Sequence, residues 1–168
     1  MKWLSGRSDG FKRFVARLSG RYRGPNDELH VCEVQVDGRV GPALYLERVV
    51  GAQVLESHLW EADAKSEPAS FHELSLLPPL PANACDHSLV HVPSGSVGNA
   101  IDGSSPELDA QSLSSFVDAQ GGVFERTSVG MKRWDPSRGG EPTTYVALQR
   151  GSNGQWVPSE ALVEPATR

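Results

Sequence analysis

Alternation of apolar and polar residues predicts β-strands towards both ends of the chain. The pattern is clear over 29–36 and is followed at once by Asp37-Gly38, a dipeptide typical of hairpin turns. The return strand of this hairpin is expected over 39–46. The same two-residue period recurs in four segments separated by Gly-, Pro- and Ser-containing turns: 123–129, 131–134, 143–149 and 155–157. The sequence therefore predicts an N-terminal hairpin and a C-terminal meander.

Other segments carry apolar residues at helical spacing. Residues 10–19 place them at i, i+3, i+4 and i+7 from Phe11. Residues 47–64 also fit a helix, although Gly51 weakens the pattern. Residues 105–120 begin with Ser-Pro-Glu, which supplies an N-cap and a proline at the first helical position. The sequence therefore predicts an α+β domain, with a mostly antiparallel sheet and two or three helices.

The charges are unevenly distributed along the 168 residues, whose net charge is −5. Residues 1–24 carry seven basic side chains and one acid, whereas residues 66–125 carry eight acids and no Lys or Arg. A chain of this length usually forms one domain. We therefore predict a basic amphipathic arm over 1–24, a single acidic domain over 25–158 and a polar tail over 159–168.

Three observations bear on the location and origin of the protein. No stretch of 18 consecutive apolar residues is present, so no membrane-spanning helix is expected. Charged residues come too early in the chain for a secretory leader, and we expect a cytoplasmic protein. A single Ile, and twelve Arg against four Lys, are typical of GC-rich coding, which favours a bacterial or phage origin.

The main functional hypothesis is based on the basic arm. Its apolar stripe needs a surface to cover, and its cationic side chains suit an acidic partner. We expect a non-enzymatic binding protein, an accessory, assembly or inhibitor-type subunit that docks on a larger protein. The residues expected to make this contact are Phe11, Lys12, Arg13, Phe14, Arg17 and Leu18.

Nucleic-acid binding is the first alternative. A basic strand and turn beside an aromatic residue suits single-stranded nucleic acid, because bases stack on rings while cations contact phosphates. The candidate residues are Arg126, Lys132, Arg133, Trp134 and Arg138. The arm would add phosphate contacts, but the negative net charge opposes this function.

A zinc site is the second alternative, in a small zinc-dependent enzyme or a zinc-stabilised domain. Thiolates and imidazoles are ligands that zinc prefers. Two strand-like segments supply them: His30, Cys32, Cys85, His87 and His91. The same residues also fit an ordinary core, or a disulfide between Cys32 and Cys85. No nucleophile, base and orienting group form a recognisable pattern, so no catalytic residue is predicted.

Overall fold

The computed structural model of the chain describes residues 15, 17–39, 41–63, 70–77, 80, 84–86, 90–101 and 115–159. Within these ranges the chain forms β1 (Gly20–Arg23), β2 (Glu28–Val36), β3 (Ala43–Val50), β4 (Gln53–Asp63), β5 (Ser70–Leu76), β6 (Val90–Val92), β7 (Val97–Ala100), β8 (Ser115–Val117), β9 (Val123–Arg126), β10 (Gly130–Trp134), β11 (Thr143–Arg150) and β12 (Trp156–Pro158). The strands expected in the hairpin and in the meander are confirmed, with ends shifted by a few residues.

The expectation of an α+β domain with two or three helices is wrong. Among the described residues, helical conformation is confined to Val15, Arg17 and Leu18 and to three short 3₁₀ turns: Ala84–Asp86, Ser94–Ser96 and Pro136–Arg138. The described part of 47–64, residues 47–63, forms the end of β3, a turn and β4 instead of a helix. Most residues of the helices expected over 10–19 and 105–120 lie outside the described residues. The described end of the second, 115–120, contains strand β8 and a turn, so no helix forms there. No described helix is long and apolar enough to cross a membrane.

The physical reason for the wrong helix over 47–64 is visible in β4. Leu59 and Trp60 are neighbours on this strand and point to opposite faces, yet they are 0% and 1% exposed. A strand that is buried on both faces loses the apolar–polar alternation that marks a half-buried strand.

All strands belong to one sheet, in the order β7-β5-β4-β3-β2-β1-β11-β10-β9-β8, with β12 beside β11 and β6 beside β2. Every pair is antiparallel except β2 with β6. The sheet curls back on itself. This is shown by Phe116 on β8 and Phe71 on β5, whose ring centroids lie 3.8 Å apart. Trp60 Nε1 also donates a hydrogen bond of 3.0 Å to the carbonyl of Val117. The curl creates an enclosed inner face and an opposite outer face.

The inner face holds the main core. Four aromatic side chains from β4, β5, β8 and β9 pack together: Trp60, Phe71, Phe116 and Phe124. Val15 and Leu18 belong to the same cluster and are 1% and 2% exposed. Each fully buried side chain of this size stabilises the fold by roughly 1.5–3 kcal/mol. The helical residues before β1 therefore close one end of the inner face.

The crossover segment, residues 77–96, leads from β5 through β6 to β7, and its described residues cover part of the outer face of β2–β5. Outward apolar side chains such as Tyr45 and Leu74 pack against described residues of this segment, including Ala84 and Val92. A disulfide between Cys32 on β2 and Cys85 joins the segment to the sheet.

Candidate functional site

A polar pocket of about 510 Å³ lies at the far end of the inner face from Leu18. Strand β1 runs from the Leu18 end towards the turn at 25–27, and this turn lines the pocket. The wall includes Arg48, Glu56 and Arg133, which are inward positions of β3, β4 and β10. We call this cavity the polar pocket.

Strand periodicity explains why charged and apolar groups share one face. Glu56, His58 and Trp60 alternate along β4, so all three point to the inner face. Along the strand, Glu56 lies in the charged wall of the pocket, His58 comes next, and Trp60 lies in the aromatic core. His58 stacks on Trp60 with ring centroids 5.4 Å apart.

Arg48 connects two carboxylates in the wall. Its Nε donates to Asp27 Oδ2 at 2.5 Å and its NH1 donates to Glu56 Oε2 at 3.3 Å. The hydroxyl of Tyr145 donates to the same Asp27 oxygen at 2.9 Å. Burial, followed by the hydrogen bond to Asp27, raises the pKa of Tyr145 to about 12. Tyr145 therefore stays a neutral donor at physiological pH.

Arg133 also binds Glu56. Its NH2 lies 2.7 Å from Glu56 Oε1, and its guanidinium carbon lies 5.0 Å from the ring centre of Phe124. The side chain of Arg133 is 23% exposed. Glu56 thus holds two guanidinium groups against the wall, which fixes their positions before any ligand arrives.

His58 lies between two carboxylates. Its Nε2 is 3.0 Å from Glu56 Oε1, and its Nδ1 is 2.6 Å from Glu73 Oε2. Burial lowers the pKa of His58, but the hydrogen bonds to the two carboxylates outweigh burial and raise it to about 9. The hydrogen bond from His58, with further help from Arg133, lowers the pKa of Glu56 to about 2 although burial opposes it. His58 is therefore a cation at neutral pH.

Glu73 extends this network to the turn after β8. Its Oε1 accepts a hydrogen bond of 2.5 Å from the backbone N–H of Ala119. The chain of contacts from Asp27 to Ala119 therefore crosses the whole inner face through charged groups. Sequence reasoning missed Arg48, His58 and Glu73. The signal that could have found His58 is the period-two series Glu-x-His-x-Trp at 56–60, which is hidden when the segment is interpreted as a helix.

The residues expected to bind zinc do not converge. Cys32 and Cys85 are bonded to each other, so neither offers a thiolate. His30 is buried on the outer face, with Nε2 at 3.0 Å from Glu28. His91 is exposed beside Asp37, and His87 lies outside the described residues. Among the described residues, no group of three or more His, Cys, Asp or Glu could hold a metal ion.

The basic residues proposed for nucleic acid are divided between different surfaces. Arg133 points to the inner face and Lys132 to the outer face, since they are neighbours on β10. Arg126 donates to the carbonyl of Gly130 at 2.8 Å. Arg138 is 83% exposed and lies with Trp134 at the edge of the polar pocket. The structure therefore brings Arg133, Trp134 and Arg138 together around the polar pocket, whereas Arg126 and Lys132 do not line it.

The expected partner-binding residues fall into three groups. Phe11, Lys12, Arg13 and Phe14 lie outside the described residues. Leu18 is buried in the inner core. Arg17 is exposed.

Comparison with known proteins adds no further assignment, because no family model, curated protein or solved structure matches the chain.

Proposed function

We propose that this protein works by binding, and that the polar pocket takes a small zwitterionic molecule. The observation that carries the proposal is that Asp27 and Glu56 hold Arg48 and Arg133 in fixed positions in the wall of an open cavity. Buried charges are costly to desolvate, and a packed apolar core would stabilise the fold at least as well. Charged groups held in fixed positions inside a cavity are typical of binding sites.

The distribution of charge suggests the polarity of the ligand. The wall and the network behind it contain three cations and four carboxylates: Arg48, Arg133, His58, Asp27, Glu56, Glu73 and Asp118. The rim is acidic, because it carries two carboxylates, Asp135 and Glu141, and one guanidinium, Arg138, which pairs with Asp135. A ligand with an anionic group against the two guanidiniums and a cationic group at the rim satisfies both regions.

Isothermal titration with a panel of small molecules tests the proposal. The panel contains amino acids and dipeptides as zwitterions, dicarboxylates as anions, and diamines as cations. We expect at least one zwitterion to bind more tightly than any singly signed compound. Replacing Arg133→Gln should weaken that binding at least tenfold, because a charge-assisted hydrogen bond contributes about 1.5–3 kcal/mol. Lys132→Gln, on the outer face of the same strand, is the matched control and should leave the affinity within twofold.

Two outcomes would contradict the proposal. If no zwitterion binds with a dissociation constant below about 1 mM, the pocket is only a structural ion-pair network. If Arg133→Gln and Lys132→Gln weaken binding equally, the ligand binds elsewhere.

We also propose, as a second function, docking on a larger protein through the arm. Arg17 is exposed, whereas Val15 and Leu18 are buried in the inner core. This arrangement supports the proposal, because the core anchors the end of the arm while a basic side chain faces solvent. The test is a pull-down with the full chain and with a chain that lacks residues 1–13. A protein retained specifically by the full chain, and released by salt, is expected; equal recovery by both forms would contradict docking through the arm.

The truncation must stop before Val15. Residues 20–23 form β1, which lies between β2 and β11 in the sheet, and their removal would take a strand from the middle of the fold.

A cytoplasmic location is part of this second proposal, and cell fractionation tests it. Nucleic-acid binding stays a prediction, which an oligonucleotide titration across a salt series would test.

A further inference from the structure

The disulfide lies in the wall of a second hollow, of about 430 Å³, on the outer side of β1 and β2. Cys32 and Cys85 are both only half-buried there. The same hollow is lined by Arg21, Arg150 and Trp156. Both cysteines of the disulfide therefore line a cavity that is open to solvent and separate from the inner core. We call this cavity the disulfide hollow.

Cationic groups dominate the disulfide hollow. Arg21 and Arg150 both stack on Trp156, with guanidinium carbons 4.5 and 5.0 Å from the ring centre. Arg21 donates to Asp86 at 2.7 Å, and Arg150 donates to the carbonyl of Gly154 at 3.2 Å. The two guanidiniums exceed the single carboxylate by one positive charge.

We propose that the disulfide hollow is a site of thiol–disulfide exchange for a low-molecular-weight thiol that carries carboxylates. A thiolate is the attacking species in such exchange, and nearby cations stabilise both the incoming and the leaving thiolate. The carboxylates of the ligand would contact Arg150, whose partner among the described residues is a neutral carbonyl. This inference concerns a different part of the molecule from the polar pocket and does not depend on ligand binding there.

The reaction balances with two equivalents of thiol. The first thiolate attacks one sulfur of the Cys32–Cys85 bond, forms a mixed disulfide and releases the other cysteine as a thiolate, which takes up a proton. The thiolate of a second small molecule then attacks the small-molecule sulfur of that mixed disulfide and releases the remaining cysteine as a thiolate, which also takes up a proton. The products are the reduced protein, with two thiols, and one small-molecule disulfide. The two small thiols are oxidised as the protein disulfide is reduced.

The geometry also indicates what the exchange controls. Cys85 lies in a three-residue 3₁₀ turn of the crossover segment, and Cys32 lies on β2. After reduction, the described contacts between this part of the segment and the sheet include the three β6 residues paired to β2, the Arg21–Asp86 ion pair and the packing of Ala84 and Val92 on the outer face. Exchange at this site therefore sets how firmly the crossover segment is attached.

Reduction rates with three small thiols test the charge preference. The oxidised full chain is treated with 3-mercaptopropionate, 2-mercaptoethanol or cysteamine, and rate constants are expressed per thiolate. Mass spectrometry of alkylated samples detects the mixed disulfide and the reduced form. We expect the anionic thiol to react faster than the neutral one, and the cationic thiol to react slowest. Arg150→Gln should lower the anionic-to-neutral rate ratio about threefold to fivefold, the size of an exposed charge interaction.

Arg39→Gln is the control, because Arg39 is an exposed arginine that pairs with Glu61 away from the disulfide hollow. Its anionic-to-neutral rate ratio should stay within about 1.5-fold of the wild-type ratio. Only a weak effect is expected, because salt screens exposed charges that are further apart than the Debye length of about 10 Å. If Arg150→Gln does not fold, the same ratio is measured for wild type at rising salt and should fall. The proposal is overturned if the ratio is unaffected by Arg150→Gln or by salt. It is also overturned if no thiol reduces the bond until denaturant unfolds the chain.

Discussion

Glu56 on β4 and Arg133 on β10 are 77 residues apart in sequence, yet their side chains form an ion pair with a separation of 2.7 Å. Four strands lie between β4 and β10 in the order of the sheet. The pair therefore bridges the space inside the curl and not two neighbouring strands. Packing of the aromatic core and ion pairing at the polar pocket depend on the same curvature.

Replacing Glu56→Gln should destabilise the fold by about 1–3 kcal/mol. The change keeps the shape of the side chain but removes the carboxylate that Arg48, Arg133 and His58 share, and partly buried charges without a partner are costly. Urea unfolding measures the loss. Glu141→Gln is the control, because Glu141 is exposed and should change stability by less than about 0.5 kcal/mol. Equal effects of the two changes would show that the network adds nothing to stability.

Stability should fall on the alkaline side as His58 loses its proton. The pKa of His58 is raised from 6.5 to about 9 in the folded chain. Its contribution is therefore complete below pH 6.5 and is lost as the pH rises through 9. Unfolding free energies between pH 6 and 9.5 should show this slope in the wild type, and His58→Gln should remove most of it. A slope that persists unchanged in the variant would assign it to other groups.

Stability should also fall at acidic pH, as Glu56 gains a proton. Its pKa is lowered from 4.5 to about 2, so its contribution is complete above pH 4.5 and is lost as the pH falls through 2. Acid unfolding of wild type and of Glu56→Gln, followed by circular dichroism, checks this. The variant should unfold at higher pH than a control such as Glu141→Gln. The acid and alkaline effects share the Glu56–His58 contact and should not be added together.

The sequence predicts the hairpin and the meander because each of these strands has local signals. In β10, Met131 is buried and Lys132 is exposed, as simple alternation requires. The turn at Asp37-Gly38 has the expected chemistry, with Gly38 at a φ of 82°. Such features depend only on neighbouring residues.

The curl and the polar pocket depend on contacts between residues far apart in sequence. Tyr45 and Leu46 are neighbours on β3 and both are buried, because the crossover segment covers the outer face as well. This double burial removes the apolar–polar alternation at neighbouring positions such as Leu59 and Trp60, and short apolar stretches of this kind resemble a helix in a short window. Once Glu56 and His58 are placed on a helix, they point in different directions. The site could not be found while the strand was misassigned.

Gly130 is required by the close approach of β10 and β11. A Cβ at this position would overlap the carbonyl of Tyr145 and the backbone nitrogen of Ala147, and backbone cannot move aside as a side chain can. Gly130→Ala should therefore destabilise the protein by about 1–3 kcal/mol or more. Gly140→Ala is the matched control, because a Cβ added at Gly140 would point into open space. Thermal unfolding of both variants decides the point, and a neutral Gly130→Ala would mean that the two strands are further apart in solution.

Loss of the disulfide should destabilise the fold and loosen the crossover segment first. The bond closes a loop with a sequence separation of 53, and a cross-link over such a loop stabilises a domain by about 2–4 kcal/mol, mainly by restricting the unfolded chain. The double variant Cys32→Ala/Cys85→Ala should show this loss in urea unfolding. Reduced wild type should match the variant closely, since both lack the same constraint.

Hydrogen exchange separates this global effect from a local one. In the variant, exchange should rise most at β6, whose partner β2 supplies only three paired residues, and much less at β10, which has a neighbouring strand on each side. A uniform rise across the sheet would mean that the bond acts only through the unfolded state. A rise confined to β6 and its neighbours would mean that the disulfide also holds the crossover segment against the outer face, because exchange then increases only where this segment opens locally.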